Sequence, residues 1–346
     1  MQNYFLQSKV VFFHWKATGI LKILDVSLGN LFNIALCFSI TMEKTIKYTH
    51  LENLTGHQSG IYALMQGEEI NELISSGGDG MLIAWKLSDH STSKVITSIK
   101  EVIFSMIKTP VKGVYLLGTM NGNIYSVDRN TNEVIKHSDA HISGVFDMLF
   151  LNDHRLASIG GDGILRTWEF PSFNPIHEVL VSDKKLRSFD LNKELGHLAI
   201  GAIDGTVSIF DVKNLKRIIR FKAHDRGVYL TRYHPHKKML VTGCIDGVLN
   251  FWKTDQDYKH IYQRAIHQST IYGFDHHKWD DLYVTVSKDK SIKVWDPTFD
   301  IPTTISKFTG EGHVHSVNAV SWLHNGLLAT GGDDKVIKIW QVGESN

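Results

Sequence analysis

The feature that most constrains this chain is a segment, ending in a large apolar residue, that returns every 41 to 45 residues. Five copies end in tryptophan, and two weaker copies end in valine and phenylalanine. In chain order the end positions are Trp85, Val127, Trp168, Phe210, Trp252, Trp295 and Trp340. A period of about 40–45 residues is typical of small sheets that bury their apolar faces against like neighbours. The spacing therefore predicts an all-β ring of seven small sheets.

Each repeat also predicts its own internal structure. In residues 216–253 the apolar stretches are KRIIRFKAH, GVYLTRYH, KMLVTG and VLNFWK, separated by turn-forming residues. None shows a helical period, and their lengths suit antiparallel strands of about 5–6 residues. We expect a four-stranded antiparallel sheet in every unit.

Composition narrows the function classes. The chain has 346 residues, 42% of them apolar, and a net charge of +1. These values are typical of a globular protein and argue against a nucleic-acid-binding surface, so we expect no nucleic-acid partner. Its two cysteines cannot form a disulfide framework, which favours a cytoplasmic location. We expect no cofactor and no metal, because His234, His236, His276 and His277 lack cysteine or carboxylate partners at ligand spacing.

Recurring dipeptides point to a family. Gly-His occurs at Gly56-His57 and Gly312-His313, and Trp-Asp occurs at Trp295-Asp296. Over residues 46–342 the chain resembles the WD-repeat β-propeller family. The resemblance implies a hydrogen-bonded set of His, Ser or Thr, Asp and Trp inside a blade. The matching sets are His57, Ser75, Asp79, Trp85; His141, Ser158, Asp162, Trp168; His224, Thr242, Asp246, Trp252; His267, Thr285, Asp289, Trp295; and His313, Thr330, Asp334, Trp340.

These sets have two interpretations. Ser, His and Asp are the components of a hydrolytic triad. A nucleophile is needed once, however, whereas these residues recur five times with the same spacing, so we favour a structural role and expect no enzyme activity. Repeats two and four lack the set, with Asn121 in place of Asp and Ile200 in place of Ser. We expect those two blades to be less rigid or adapted to another role.

The resemblance sets the domain prediction. The sequence ends just after the third strand of the last repeat, while Thr45 to Leu54 forms a strand-like segment before the first. An open sheet edge invites aggregation, so we expect that segment to pair with the strand ending near Trp340. Residues 45–346 are thus predicted to form a seven-bladed propeller of four-stranded antiparallel sheets, closed by an N-terminal strand.

Residues 1–44 form a non-repeat extension with three open interpretations. In the first interpretation, the start is mis-assigned and Met42 is the true initiator. In the second, residues 1–41 are a signal or membrane anchor. In the third, they pack as an added segment. The uncharged run from Val26 to Met42 is short and polar for a membrane span, and no clear cleavage site follows it.

The resemblance also implies where partners bind. In this family, partners on the top face commonly touch the residue five after the histidine, at the rim of the central channel. These positions are Tyr62, Phe104, Phe146, Arg187, Tyr229, Tyr272 and Asn318. An aromatic residue on a strand is typical of core packing, but the residue before each is already aliphatic, and strand side chains alternate. We therefore predict an aromatic rim, suited to a peptide or loop that offers lysine or arginine.

The residues just before the turn aspartates vary from blade to blade. They are Gly78, Met120, Gly161, Ile203, Ile245, Lys288 and Asp333. Such an uneven top face favours one asymmetric partner. We predict a non-enzymatic scaffold that binds other proteins and whose propeller is monomeric. We expect a cytoplasmic location, or a secreted or membrane-anchored one if residues 1–41 act as a signal. Two alternatives remain: an RNA-associated assembly factor using Lys184, Lys185 and Arg187, and a propeller enzyme with a channel site.

Overall fold

The computed structural model describes residues 10–14, 22–26, 46–88, 91–137, 139–277, 281–299 and 302–344. The chain divides into two compact units, Met1–Lys44 and Thr45–Asn346. In the first, Val10–His14 pairs antiparallel with Lys22–Val26. The predictions about Met42 and about residues 27–41 fall outside the described residues. No helix in the described part of the chain is long and apolar enough to cross a membrane.

The second unit consists of seven four-stranded antiparallel sheets. The strands of each blade, from first to fourth, are Ile61–Gln66, Glu72–Gly77, Met81–Lys86 and Thr92–Ser98 in blade 1; Ile103–Lys108, Val114–Thr119, Ile124–Asp128 and Glu133–His137 in blade 2; Val145–Asn152, Arg155–Gly160, Ile164–Glu169 and Pro175–Leu180 in blade 3; Leu186–Asn192, His197–Ala202, Thr206–Asp211 and Arg217–Lys222 in blade 4; Val228–Tyr233, Met239–Cys244, Val248–Lys253 and Lys259–Ala265 in blade 5; Ile271–His277, Leu282–Ser287, Ile292–Trp295 and Thr303–Ile305 in blade 6; and Val317–Trp322, Leu327–Gly332, Val336–Glu344 and Ile46–Thr55 in blade 7. Each strand pairs with the next in this order.

The blades are arranged in a closed ring. The first strand of every blade contacts the first strands of the two neighbouring blades, and that of blade 7 contacts that of blade 1. These seven inner strands therefore surround a central channel. The predicted seven-bladed all-β propeller is confirmed.

The N-terminal strand closes the ring as predicted. Ile46–Thr55 is the fourth strand of blade 7, where His50 pairs with Trp340 and Leu54 with Ile337. Burial alternates along this strand, as expected when one of its faces packs on the sheet. The observed strand begins and ends within one residue of the predicted Thr45 to Leu54 segment.

Burial follows strand position within a blade. Second strands such as Glu72–Gly77 and Leu282–Ser287 are buried along their whole length, whereas the fourth strand Thr92–Ser98 is mostly exposed. The apolar core lies between neighbouring sheets, as where Trp85 of blade 1 shares a cluster with Ile337 of blade 7.

Candidate functional site

Four blades form the hydrogen-bonded set that the sequence implies. In blade 1, His57 Nδ1 lies 2.8 Å from Asp79 Oδ2, and its Nε2 lies 2.7 Å from Ser75 Oγ. Trp85 Nε1 donates to the same hydroxyl at 2.7 Å. The same bonds join His141, Asp162, Ser158 and Trp168; His267, Asp289, Thr285 and Trp295; and His313, Asp334, Thr330 and Trp340.

The set is hydrogen-bonded in the order of a catalytic triad, but its hydroxyl is not accessible to a substrate. A carboxylate accepts and cannot donate, so His57 Nδ1 carries the proton and Nε2 accepts from the Ser75 hydroxyl. Ser75 is 0% exposed and also accepts from the indole, so no substrate reaches it. Burial alone would raise the pKa of Asp79, but hydrogen bonds from the backbone of Met81 and Gln58 and from His57 outweigh it and lower that pKa. The charged carboxylate holds the turn.

Blade 5 departs from the implied set at its aspartate. His224 and Trp252 both bond Thr242 Oγ1, but Asn250 Nδ2 lies 3.2 Å from His224 Nδ1, where the carboxylate was expected. The predicted bond from Asp246 to His224 is wrong, because Asp246 turns outward and accepts from Arg226 at 3.0 Å. An amide donor makes His224 Nδ1 an acceptor, and burial lowers the pKa of this histidine to about 4.

Blade 2 is held by a network centred on Glu101. Its carboxylate accepts from Thr119 at 2.5 Å, Asn123 at 3.0 Å and Tyr125 at 2.8 Å, and it pairs with Lys136 at 3.2 Å. Burial alone would raise the pKa of Glu101, but these hydrogen bonds, led by the one from Thr119, lower it to about 2. The glutamate holds blade 2 together as the histidine set does in blades 1, 3, 6 and 7.

Blade 4 uses a serine at the histidine position. Ser182 Oγ donates to Asp204 Oδ2 at 2.9 Å, and Arg220 Nη2 reaches the same oxygen at 2.7 Å. Ile200 and Phe210, which replace the hydroxyl and the indole, are buried in an apolar cluster. Ser182 and Arg220 thus hold the turn in place of the histidine, hydroxyl and indole set.

The seven predicted rim residues share one structural feature, a β-bulge near the start of every inner strand. In blade 1, Ile61 pairs with Gly77 and Ala63 pairs with Ser76, so Tyr62 is left out of the ladder. The same register shift occurs at the rim residue of each other blade. Because a bulge re-aims its extra side chain, the residue before each rim position is fully buried while every rim residue is half-buried.

The rim residues line a common cavity. All seven, together with Asp333, surround a space of about 300 Å³. The same seven residues also line a second space together with other residues of the inner strands. The Tyr62 and Phe104 ring centres are 5.8 Å apart, those of Phe104 and Phe146 are 5.4 Å apart, and those of Tyr229 and Tyr272 are 6.2 Å apart. The mouth of the channel is therefore a nearly continuous aromatic collar.

Arg187 fills the gap between the two aromatic runs. Its guanidinium carbon lies 4.2 Å from the centre of the Phe146 ring and 4.9 Å from that of Tyr229. Burial lowers the pKa of Arg187. No carboxylate pairs with it among the residues that the structure describes. The collar thus holds a partly desolvated cation.

A negative charge lies on the far side of the collar. Asp333, which is exposed, accepts a hydrogen bond from Asn318 Nδ2 at 2.7 Å. Burial, followed by the Asp333 charge, raises the pKa of Tyr62. Because Arg187 belongs to blade 4 and Asp333 to blade 7, the mouth of the channel is positive on one side and negative on the other.

The propeller fold agrees with the comparison to known sequences. Three segments, residues 215–253, 259–296 and 304–341, match the family model described as WD domain, G-beta repeat. The chain is a seven-bladed propeller, and these three segments of it are similar to WD repeats.

Several known proteins are similar to this chain in sequence. Transducin beta-like protein 3 of Rattus norvegicus is 22% identical over 90% of the chain, and pre-mRNA-processing factor 17 of Homo sapiens is 22% identical over 71%. Pre-mRNA-processing factor 19 of Oryza sativa subsp. japonica is 26% identical over 54%. The chain spans only 36%, 44% and 35% of the lengths of these relatives, respectively.

A solved structure shows the same fold. The WD40 β-propeller domain of Doa1 matches this chain with a TM-score of 0.75 and 16% sequence identity. The match covers 86% of this chain and 97% of the other. At that identity the likeness concerns the fold alone.

Sequence reasoning missed how neighbouring blades of the propeller are joined. Inner-strand carboxylates accept backbone N–H groups of the next blade, as Asp190 Oδ2 does from Tyr233 at 2.7 Å. Asp147 lies 3.8 Å from Arg232, and burial raises the pKa of Asp147 to about 6. One substitute for the histidine set did carry a signal, because Ser182 stands four residues before Leu186 as His57 does before Ile61.

Proposed function

We propose that this propeller is a non-catalytic platform that binds a segment of a partner protein in the rim cavity. The observation that carries the proposal is the collar, in which seven bulges direct five aromatic rings and one arginine into a common space. Rigid aromatic rings and arginine are the residues that interface hot spots favour. Their half-buried state leaves surface for a partner to cover.

The charges of the collar indicate the chemistry of the segment. Arg187 is partly desolvated, so an acidic group that reaches it gains a charge-assisted hydrogen bond. The Phe146 and Tyr229 rings already hold Arg187, so a lysine or arginine of the partner fits beside Asp333 rather than over those rings. We infer a segment with an acidic group toward blade 4 and a basic group toward blade 7.

The first experiment removes part of the collar. Tyr229→Ala combined with Tyr272→Ala removes two touching rings, which at hot-spot energies weakens partner binding by at least about 30-fold. Quantitative pulldown from native extract would compare this variant with the wild type. Ile70→Ala combined with Leu195→Ala, two exposed residues in turns at the opposite end of the inner strands, serves as the matched control. Equal partner recovery by both variants would refute the proposal.

The second experiment tests the acidic group. Peptides selected from a random display library on the wild-type propeller should share an aspartate or glutamate at one position. Their binding should weaken strongly on Arg187→Gln and should fall with added salt, because a charge pair is screened. Selected peptides that lack a common acidic residue, or that bind the variant equally well, would contradict the assignment of Arg187.

Association with RNA-processing complexes is a second candidate function. It is favoured by the names of two relatives, pre-mRNA-processing factors 17 and 19. Direct RNA contact is less favoured by the structure, because Lys184 pairs with Asp183 while Arg187 lies between rim rings. Protein recovery that is lost after ribonuclease treatment would support an RNA-dependent association, and unchanged recovery would exclude it.

A further inference from the structure

A cluster of metal-ligating side chains lies at the opposite end of the inner strands from the collar. His236 is in the turn between the first two strands of blade 5, His276 is near the end of the first strand of blade 6, and Asp281 is in the turn that follows. One ligand atom from each lies within 4.8 Å of the others. The sequence suggested no carboxylate near these histidines, but the fold of blade 6 supplies Asp281.

We propose that His236, His276 and Asp281 form a binding site for a divalent transition-metal cation, with Zn²⁺ as the best fit. Two imidazoles and one carboxylate are a donor set that zinc accepts, with a further position open to water or a partner's ligand. The site is independent of the collar and of any partner bound there.

The geometry is close to what zinc requires. In tetrahedral coordination with bonds of about 2.0–2.1 Å, neighbouring donor atoms lie about 3.3 Å apart. His276 Nε2 and Asp281 Oδ1 are 3.0 Å apart. The His236 ring is exposed, with its centre 5.1 Å from that of His276, so a side-chain rotation brings its nitrogen into range.

Buried groups behind the cluster orient its carboxylate. His234 Nδ1 accepts the backbone N–H groups of His236 and Lys237 at 3.1 and 2.9 Å, so its proton is on Nε2. His234 Nε2 therefore donates to the Tyr283 hydroxyl at 2.8 Å, which leaves Tyr283 to donate to Asp281 Oδ1 at 2.7 Å.

The relay from His234 through Tyr283 to Asp281 resembles the hydrogen bonds that hold ligands in place around a metal. Its hydrogen bonds run toward Asp281 and keep that oxygen an acceptor, as the outer partners of metal ligands do. The nearby cation Lys237 is held elsewhere, because its Nζ donates to Pro297 O at 2.9 Å. A simple ion pair between His276 and Asp281 would not need His236 or the relay.

The test is a titration of the full, untagged chain with Zn²⁺ after treatment with a chelator. Calorimetry should show one tight site per chain, and Co²⁺ should give the visible absorption of a low-coordinate centre. His236→Ala changes only an exposed side chain and should abolish the tight site, whereas His154→Ala, an exposed histidine in the corresponding turn of blade 3, should leave it intact.

A further variant probes the relay. Tyr283→Phe removes only the hydroxyl and should weaken Zn²⁺ binding by about 10–100-fold, the usual effect of losing an outer partner. Circular dichroism would verify that this variant is folded before titration. Absence of tight binding by the wild type, or tight binding that survives His236→Ala, would overturn the proposal.

Discussion

Replacing Thr330 by valine tests the hydrogen-bonded set at the blade that closes the ring. The Thr330 hydroxyl is 0% exposed, lies 2.9 Å from His313 Nε2, and accepts from Trp340 Nε1 at 2.9 Å. Valine keeps the shape but leaves both nitrogens in a dry interior without that partner. Each loss costs about 1–3 kcal/mol, so we expect the free energy of unfolding to fall by about 2–6 kcal/mol.

Urea denaturation followed by tryptophan fluorescence and circular dichroism measures this loss. Thr330→Ser is the matched control, because it keeps the hydroxyl that blades 1 and 3 supply from Ser75 and Ser158. It removes one methyl group and should cost about 1 kcal/mol. If the valine variant is as stable as the serine variant, the buried hydroxyl does not stabilise the blade and the reasoning is wrong.

Blade 4 offers a natural reference for the same set. There Ser182, Ile200 and Phe210 occupy the histidine, hydroxyl and indole positions. The combined changes His313→Ser, Thr330→Ile and Trp340→Phe copy this arrangement into blade 7. Because the imidazole, the hydroxyl and the indole leave together, the triple variant should lose less free energy of unfolding than the sum of the three single variants. Strict additivity would show that the three side chains act independently.

Three further changes have directions that follow from local chemistry. The folded pKa of Glu101 is about 2 against an ordinary 4.5, so the wild type loses stability as the pH falls from about 4.5 to about 2. Glu101→Gln should remove this pH-dependent loss. The free energy of unfolding at pH 7 and pH 3, compared between variant and wild type, measures the effect. The pKa shift of Asp147 has the opposite sign, because its folded pKa of about 6 lies above the ordinary 3.8. Its contribution to stability is present below pH 3.8 and is lost as the pH rises through 6. Compared with the wild type, Asp147→Asn should therefore be more favourable at pH 8 than at pH 4, as unfolding at the two pH values would measure. Lys335 is exposed and has a φ of 67°, so Lys335→Gly should raise the free energy of unfolding by about 1 kcal/mol, whereas Lys335→Ala should give no gain.

Much of the fold was predictable because it depends on periodic residues. The large apolar residues that end the repeats, from Trp85 to Trp340, recur at nearly fixed spacing and so predicted the number of blades. The closing strand followed from the strand-like segment Thr45 to Leu54 before the first repeat. The rim positions were implied by the family resemblance, which places them five residues after the histidine of a repeat. Simple strand alternation gave the right exposure for them, although its physical cause is a bulge at each rim residue, as at Tyr62.

The missed features depend on contacts between distant parts of the chain. Asp246 has the same spacing as the other turn aspartates, yet Asn250 takes its place beside His224. Asp281 is close in sequence to His276 but lies near His236 only because blades 5 and 6 are neighbours in the ring. Spacing within one repeat cannot report which side chains two blades bring together.

Unlike residues turn a ring of similar blades into a directional surface. Blade 4 supplies Arg187, the one charged member of the seven rim residues, and blade 7 supplies Asp333 beside Asn318. Blades 4 and 7 are three steps apart in a ring of seven and so lie nearly opposite each other. A bound segment that satisfied both charges would have to cross the mouth of the channel, and it would be held in one of its two directions. Exchanging the two charges, with Arg187→Asp and Asp333→Arg in one chain, should then reverse the order of acidic and basic residues in the peptides that bind.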